Sequence, residues 1–370
     1  MNLAALSALF LIVVFSWLSN HKTIPGCKVF RLLLLLILSV ISALNAPLAD
    51  DHEVYVRAYE RASSFDFLSY VGLSLLDTDS LGYEPGYAVL SWIMAHLKIK
   101  EAMFFFIIAL FVNDSIMRFI SHFKYSFVIL IWVYIGGNIL IQQQNLVRQF
   151  IAVAISLYGF TSLMNNNKNK FIILVLLSSL FHYSAIINFL FLPIHTLMQS
   201  KKGDNLVLIF VIFSYGVSLL SIVAPQVVSL VTHIGGSYYG HYMSTDSDVG
   251  MQVIMTFLIL YNLLTIYIIL NWKKVHGILA FSVVIIVLLN NIGLSIPNLL
   301  RLTYYYTIPA SAFMFHYLHP CSGTSRTVLV QYRQCIFIFF LLYYVWNVFN
   351  NFILQEGVLF SDVYSLKDFY

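Results

Sequence analysis

Apolar runs of about 16 to 28 residues recur along this 370-residue chain. A helix that rises about 1.5 Å per residue can cross a hydrocarbon core of ~30 Å with a run of this length. Only 10% of the residues are charged and the mean hydropathy is +0.85, whereas soluble domains are about a quarter charged. These features exclude an ordinary soluble domain and predict a single integral membrane domain over 1–370.

Ten of the runs are predicted to cross the membrane as helices. They are 3–18, 29–44, 102–121, 125–141, 149–164, 206–223, 252–271, 276–294, 302–318 and 334–351. We expect 85–97, which is short, to be a re-entrant or surface helix. We expect 171–198, which has lysines at both ends, to be a re-entrant hairpin bent near His182. The predicted fold class is an all-α polytopic membrane protein with about ten to twelve transmembrane helices and re-entrant segments.

The loops differ in charge. Positively charged loops stay on the cytoplasmic side, which puts most lysines and arginines inside and nearly all acidic residues outside. Segments 45–101 and 225–250 are then outer loops, and the first contains the short helix at 85–97. The net charge of +4 comes from short scattered loops, which argues against a nucleic-acid-binding face. We therefore expect any chemistry in the outer segments.

Two arginines stand at predicted outer helix ends, against the positive-inside bias. Arg148 lies in the polar run 142–149, and Arg301 follows Pro297-Asn298-Leu299-Leu300. A guanidinium matches phosphate oxygens with a planar fork of N–H donors. Both are candidates for binding a diphosphate, and interfacial snorkelling beside tyrosines is the alternative.

Two ionisable residues fall deep within apolar runs. His182 lies about 17 Å along the run that begins at residue 171, where such a group usually faces a cavity or a partner. A neutral histidine bonded to a backbone carbonyl is the alternative. Asp114 lies within 102–121, and we expect a structural role for it with the adjacent Asn113 as its partner.

The acidic residues of the outer segments offer candidate bases, among them Asp50, Asp51 and Glu84. The triplets Asp77-Thr78-Asp79 and Asp246-Ser247-Asp248 have oxygen ligands that suit a divalent cation. Short patterns of this kind arise readily in acid-rich loops, so we interpret them as solvated acids. We predict no metal site and no cofactor.

Five short motifs occur in order over roughly residues 45–310. They are Asp51-x-x-x-Tyr55, Tyr83-Glu84-Pro85-Gly86-Tyr87, Asn145-x-x-Arg148-Gln149-x-x-Ala152, Phe181-His182-Tyr183-Ser184 and Arg301-x-x-Tyr304. Together they resemble the EpsG-like branch of the Wzy polysaccharide polymerases. In this resemblance Asp50 is an alternative to Asp51 as the carboxylate of the first motif.

The resemblance implies a multi-pass enzyme of the bacterial inner membrane with a fold similar to the GT-C glycosyltransferases. Such an enzyme joins oligosaccharide repeat units carried on undecaprenyl pyrophosphate, for O-antigen, capsule or exopolysaccharide. Lipid-linked glycan would be both donor and acceptor, and a chain-length regulator is a candidate partner. A lipid-linked oligosaccharide flippase, a ligase and an acyltransferase are the alternatives, and the lack of a visible internal repeat favours an enzyme over a carrier.

The resemblance also implies roles for individual residues. Arg148 and Arg301 would bind the pyrophosphate, since cations stabilise a departing anion. The catalytic carboxylate or imidazole would be Asp51, Glu84 or His182. Residues expected to contact sugar or lipid are Asp50, Tyr55, Tyr87, Asn145, Gln149 and Tyr304.

Overall fold

The computed structural model describes residues 3–20, 26–45, 51–76, 83–123, 126–136, 139–223, 259, 261–275, 277–293 and 297–318. Every regular element within these residues is helical, and no strand occurs among them. The prediction of an all-α fold is therefore confirmed. The predicted outer loop 225–250, the predicted span 334–351 and Asp50 lie outside the described residues.

The chain divides into two compact units, and the first contains the described residues up to Phe189. Its helices are α1 (Leu3–Asn20), α2 (Cys27–Asn45), α3 (His52–Ala62), α4 (Phe67–Leu76), α5 (Pro85–His96), α6 (Glu101–Ile120), α7 (Ser126–Ile131), α8 (Ile139–Asn145), α9 (Val147–Met164) and α10 (Lys168–Ser179). A π-helical turn at Trp132–Gly136 follows α7, and a 3-10 helix at Tyr183–Leu190 follows α10.

The second unit contains the described residues from Leu190 to 318. Its helices are α11 (Phe191–Met198), α12 (Lys201–Val223), α13 (Tyr261–Leu270), α14 (Trp272–Val275), α15 (Ile278–Gly293) and α16 (Tyr304–Phe313). A 3-10 helix at Pro297–Thr303 precedes α16, and a π-helical turn at Met314–Leu318 follows it.

Four helices among the described residues are long and apolar enough to cross a membrane. They are α2 over Cys27–Leu44, α6, α9, and α12 over Lys201–Leu220. These helices identify a membrane protein. The total of ten to twelve spans stays a prediction.

Helix α9 lies at the centre of the first unit. It packs against α6 and α10. Of its most apolar 18-residue stretch 78% is buried, compared with 33% for the corresponding stretch of α2. The hydroxyl of Ser156 on α9 lies 2.9 Å from that of Ser178 on α10, and Asn188 Nδ2 donates to the same Ser156 oxygen. Small polar side chains of this kind join helices where hydrophobic burial alone gives little preference. The network holds the chain on both sides of the break after α10.

That break falls where the sequence predicted a bend. Helix α10 ends at Ser179, and the chain resumes at Tyr183 as a 3-10 helix. His182 is the last residue before the 3-10 helix. The break near His182 is confirmed, and the re-entrant course of 171–198 stays a prediction.

The residues of the segment 45–101 that the structure describes contain three helices, α3 to α5, where the sequence predicted a single short one. The buried residues of α3 are spaced by three or four positions: His52, Tyr55, Ala58, Tyr59 and Ala62. This spacing is typical of an amphipathic helix. The acidic residues on the exposed face led the segment to be interpreted as a loop. Its position outside the membrane stays a prediction.

The predicted span 125–141 is divided into α7, the π-helical turn and α8. Gly136 is the last residue of the π-helical turn, and glycine lowers helix stability. The two helices are separated within the polar run 142–149 as predicted, but the break is shorter than the run, because α8 continues to Asn145 and α9 begins at Val147. Only Leu146 separates the two helices, so Arg148 lies in the first turn of α9.

The predicted pairing of Asp114 with Asn113 is wrong. Arg118 Nε lies 2.5 Å from Asp114 Oδ2, because residues four apart share a helix face whereas adjacent residues do not. Asn113 instead donates to Ser39 Oγ at 3.1 Å and accepts from the Tyr134 hydroxyl at 2.8 Å. Asn113 thus links α6 to α2 and to the π-helical turn.

The start of α5 lies directly against the end of α10. The Gly86 N–H donates to the Leu180 carbonyl oxygen at 2.8 Å. A Cβ atom at Gly86 would lie 2.8 Å from that oxygen and 3.1 Å from Phe181 Cδ2. Only glycine permits so close an approach of two backbones. The contact holds Glu84, which precedes α5, close to Leu180, which follows α10.

We expect Gly86→Ala to destabilise the protein by about 1–3 kcal/mol, because the added methyl group meets backbone that has to move. Thermal unfolding of the purified protein in detergent measures the effect. Gly72→Ala is the matched control, since nothing lies within 4 Å of its added Cβ. In a helix that change stabilises by roughly 0.5–1 kcal/mol. Equal shifts for the two variants would contradict the close approach at Gly86.

Candidate active site

Glu84 contacts two basic groups in the first unit. Its Oε2 lies 2.5 Å from Arg148 Nη1, and its Oε1 lies 2.6 Å from His182 Nδ1. The Glu84 side chain is 5% exposed, whereas those of Arg148 and His182 are 23% and 29% exposed. The carboxylate therefore lies beneath the two basic groups, which are accessible. We call these three residues the ionic cluster.

Local backbone features place each member of the ionic cluster. Glu84 is the N-cap residue of α5, with Pro85 at the start of the helix, and its side chain makes no cap hydrogen bond. Its carboxylate is therefore available to groups outside the helix. The extended backbone at Glu84 (ψ 146°) is the conformation that a following proline favours. Arg148 comes from the first turn of α9, and His182 from the break after α10.

Tyrosine rings pack against the guanidinium of Arg148. The Arg148 Cζ atom lies 5.3 Å from the centre of the Tyr83 ring and 5.7 Å from that of Tyr55. A cation beside an aromatic ring is attracted to its π-electrons. The Tyr87 ring packs behind both, with centroid distances of 5.7 Å to Tyr55 and 5.8 Å to Tyr83. These three tyrosines, the tyrosine cluster, form an aromatic wall beside the ionic cluster.

The ionic cluster favours an ionised Glu84. Burial raises the pKa of Glu84, but the hydrogen bond from His182 and the charge of Arg148 outweigh that effect, so its pKa is below the ordinary value. A carboxylate only accepts hydrogen bonds, so Nδ1 of His182 carries the proton in the contact with Glu84. In the neutral imidazole the other nitrogen, Nε2, then holds a lone pair.

Burial has the opposite net effect on the neighbouring phenols. It raises the pKa of Tyr55 and of Tyr83, and the charge of Arg148 offsets this only in part. Both hydroxyl groups therefore remain protonated at neutral pH. The site combines one buried anion, two accessible basic groups and neutral tyrosines.

The other described site residues predicted in the first unit are Asp51, Asn145 and Gln149. Asp51 is the half-buried N-cap residue of α3, and its charge contributes to the raised pKa of Tyr55. Asn145 is half-buried at the end of α8, and Gln149 is buried on α9 beside Arg148. The roles proposed for Asp51, Asn145 and Gln149 stay predictions.

Arg301 and Tyr304 belong to the second unit. Arg301 is exposed in the 3-10 helix Pro297–Thr303, and Tyr304 is the first residue of α16. Their expected roles, in binding pyrophosphate and in contacting sugar or lipid, stay predictions.

The described residues contain no cluster of side chains suited to bind a metal ion. No group of three or more His, Cys, Asp or Glu side chains that could hold a metal ion occurs among them. Both oxygens of Glu84 are engaged with basic groups, which makes it a poor ligand for a hard cation. The triplets at 77–79 and 246–248 lie outside the described residues.

Gly86 is the residue of the site that the sequence analysis did not single out. It was part of the motif Tyr83-Glu84-Pro85-Gly86-Tyr87, but no role was assigned to it. A proline-glycine pair at the start of an apolar helix was the available signal, because glycine in that position favours a close backbone contact. Glu84, Arg148 and His182 were each predictable as site residues from the sequence, but their pairing was not.

Comparison with known proteins identifies one family. A family model described as the EpsG family matches residues 28–358. The match includes all five sequence motifs and both clusters, and it confirms the resemblance found in the sequence. No curated protein and no solved structure matches the chain.

We expect Glu84→Gln to lower stability at neutral pH by about 3 kcal/mol, because it leaves two basic groups without their buried anion. It should also weaken the dependence of stability on acid pH. The folded pKa of Glu84 is lower than the ordinary 4.5. Ionised Glu84 therefore adds stability that is present above about pH 4.5 and is lost as the pH falls through the folded pKa.

Thermal unfolding in detergent across a pH series measures both effects. Glu53→Gln, at a side chain that is 87% exposed, is the matched control and should behave like the wild type. A Glu84→Gln protein with the wild-type acid profile would show that Glu84 is not the ionised group of the cluster.

Proposed function

The chain belongs to the EpsG family, whose members are Wzy-like polysaccharide polymerases, and we propose that it joins oligosaccharide repeat units carried on undecaprenyl pyrophosphate. The family implies a glycosyltransferase-like polymerase in a membrane. The proposed products are O-antigen, capsule or exopolysaccharide. The proposed location is the outer, periplasmic face of a bacterial inner membrane, because the positive-inside rule puts the motifs of residues 51–87 on that face.

The proposed reaction is a glycosyl transfer between two lipid-linked glycans. A hydroxyl oxygen of the acceptor sugar forms a bond to the anomeric carbon of the donor. The bond from that carbon to the diphosphate oxygen breaks, and its electron pair leaves with the polyprenyl diphosphate. The acceptor hydroxyl gives up its proton to a base. The enzyme therefore needs positive charge near the departing diphosphate and a proton acceptor near the attacking oxygen.

The sharing of Glu84 between Arg148 and His182 is the observation that carries the proposal. A guanidinium and an imidazole, each about a quarter exposed, both contact one carboxylate in the first unit. These are the two kinds of group that the reaction requires. Neither the cation nor the imidazole alone would distinguish a catalytic site from an interfacial anchor.

Arg148 is the proposed diphosphate-binding residue. A guanidinium has five N–H donors, so the contact of Nη1 with Glu84 does not exhaust its capacity. The Tyr55 and Tyr83 rings restrict its movement, which lowers the entropy cost of binding an anion in one geometry. A fixed cation of this kind stabilises charge as it develops on the leaving group.

His182 is the proposed general base, and Glu84 positions it. Nδ1 of His182 is held by Glu84, which leaves Nε2 to accept the proton of the acceptor hydroxyl. The neighbouring carboxylate also stabilises the imidazolium that forms, as in other carboxylate–histidine pairs. Glu84 itself is less suited to be the base, because both of its oxygens are engaged and its pKa is lowered. Asp51, at the edge of the tyrosine cluster, is the alternative base.

We propose that the reaction is independent of metal ions, because Arg148 supplies positive charge to the diphosphate directly. Lipid-linked glycan is the proposed donor and acceptor, and a chain-length regulator is a proposed partner. The rings of Tyr55, Tyr83 and Tyr87 are buried, and those of Tyr55 and Tyr83 support the diphosphate site by packing beside Arg148. The contacts of Tyr55 and Tyr87 with sugar or lipid stay predictions.

Deletion of the gene tests the function. We expect surface lipid that carries single repeat units and no long polymer, since synthesis and export of the unit remain intact. Gel analysis of the surface glycan measures this. A flippase would instead leave no displayed unit. A ligase would leave polymer that is made but not transferred to its acceptor, and an acyltransferase would leave polymer length unchanged.

Arg148→Lys in the complemented deletion strain tests the site. Lysine keeps the charge but loses the planar fork, and we expect polymer formation to fall roughly 100-fold. Arg57→Lys is the matched control, since this arginine of α3 is 63% exposed, and we expect it to keep wild-type chain length. The protein level in the membrane is measured in parallel. Wild-type polymer from Arg148→Lys at normal level would remove Arg148 from the mechanism.

A further inference from the structure

A half-open cavity of about 500 Å³ lies between α2, α6 and α9 of the first unit. Four basic side chains line it: Lys28, Arg31, Arg118 and His122. Of the residues described by the structure, Asp114 is the single acidic one in its wall. Tyr158 and Thr161 contribute hydroxyl groups from α9. The cavity therefore has an excess of positive charge.

This cavity is distinct from the candidate active site. Tyr158 and Thr161 follow Arg148 by ten and thirteen residues on α9, which corresponds to about 15 and 20 Å along the helix. Arg118 likewise lies near the end of α6. The ionic cluster and the cavity are thus at opposite ends of α9.

Within the described part of the chain, two of the cavity's cations have no acidic partner. Arg118 is paired with Asp114 at 2.5 Å, and His122 Nδ1 lies 2.9 Å from the Arg118 carbonyl oxygen. Among the residues that the structure describes, neither Lys28 nor Arg31 takes part in an ion pair. Arg31 is nevertheless half-buried and also lines a neighbouring cavity of about 50 Å³. A half-buried cation without an opposite charge is costly.

The position of Lys28 and Arg31 on α2 adds an unfavourable electrostatic interaction. Lys28 lies in the first turn of α2, and Arg31 follows about one turn later. The positive end of the helix dipole is at this terminus, so it repels cations and attracts anions. An anion in the cavity would be stabilised by both side chains and by the helix end.

We propose that this cavity binds a phosphate group, carried by an anionic membrane lipid or by a soluble phosphate compound, through Lys28 and Arg31. Guanidinium and ammonium groups together bind phosphate oxygens by charge-assisted hydrogen bonds. The cavity is larger than a phosphate ion and has Phe119 and Leu157 in its wall, which suits a headgroup with adjoining apolar atoms. Basic pockets between membrane helices on the cytoplasmic side commonly take lipid headgroups.

The test uses the full-length protein in nanodiscs of phosphatidylcholine, with and without phosphatidylglycerol. We expect phosphatidylglycerol to raise the unfolding midpoint by about 3 °C through its selective binding to the folded state. In a separate arm, inorganic pyrophosphate is added to phosphatidylcholine discs. A rise in the lipid arm alone supports a lipid phosphate, and a rise in the pyrophosphate arm supports a soluble one.

A variant pair locates the effect. Lys28→Gln/Arg31→Gln should lose most of the rise. The matched control, Lys273→Gln/Lys274→Gln, removes two exposed charges of α14 outside the cavity and should keep it. Equal losses in the two variants, or no rise with either probe, would overturn the proposal.

A second measurement needs no variant. Native mass spectrometry of the wild-type protein, released from discs with equal amounts of both lipids, counts the lipids that stay bound. Selective retention of one or two phosphatidylglycerol molecules supports the site when the lipid arm is positive. Equal retention of both lipids, without a pyrophosphate effect, overturns it.

Discussion

The buried carboxylate of Glu84 is the constraint on which the first unit depends. An ionised side chain that is 5% exposed would be too costly without partners. Arg148 and His182 supply them from positions 64 and 98 residues further along the chain. The fold therefore has to bring the start of α5, the start of α9 and the break after α10 to one point. Gly86 allows this, because its lack of a side chain lets two backbones touch.

The burial of Glu84 also distinguishes the carboxylate from the two basic groups that contact it. The anion is buried, and the two basic groups around it are accessible, so the proposed substrate would meet the guanidinium and the imidazole rather than the carboxylate. Tyr55 and Tyr83 keep their protons and hold the guanidinium in place. At the other end of α9, Lys28 and Arg31 line a cavity that has an excess of positively charged side chains. Helix α9 thus joins the two regions for which we propose anion binding.

Much of the helical architecture was predictable, because long apolar runs in a chain of this composition have few alternatives to membrane helices. The break near His182 was also predictable, since lysines flank both ends of an apolar run too long for one simple crossing. Helix α3 was missed because its buried face, which includes Tyr55 and Tyr59, was hidden among acidic residues. The partner of Asp114 was wrong because helix geometry selects Arg118, four residues away, over its neighbour Asn113.

By itself, the sequence determined the all-α membrane class, the family and the residue types of the site, because apolar run length and ordered motifs are local properties of the chain. Only the tertiary structure decided that Glu84, Arg148 and His182 form one cluster and that Glu84 is its buried centre. It also decided that Lys28 and Arg31 share a cavity with Arg118. These are contacts between residues distant in sequence, and they arise from helix packing and from the requirement that a buried charge be paired. No local pattern contains that information.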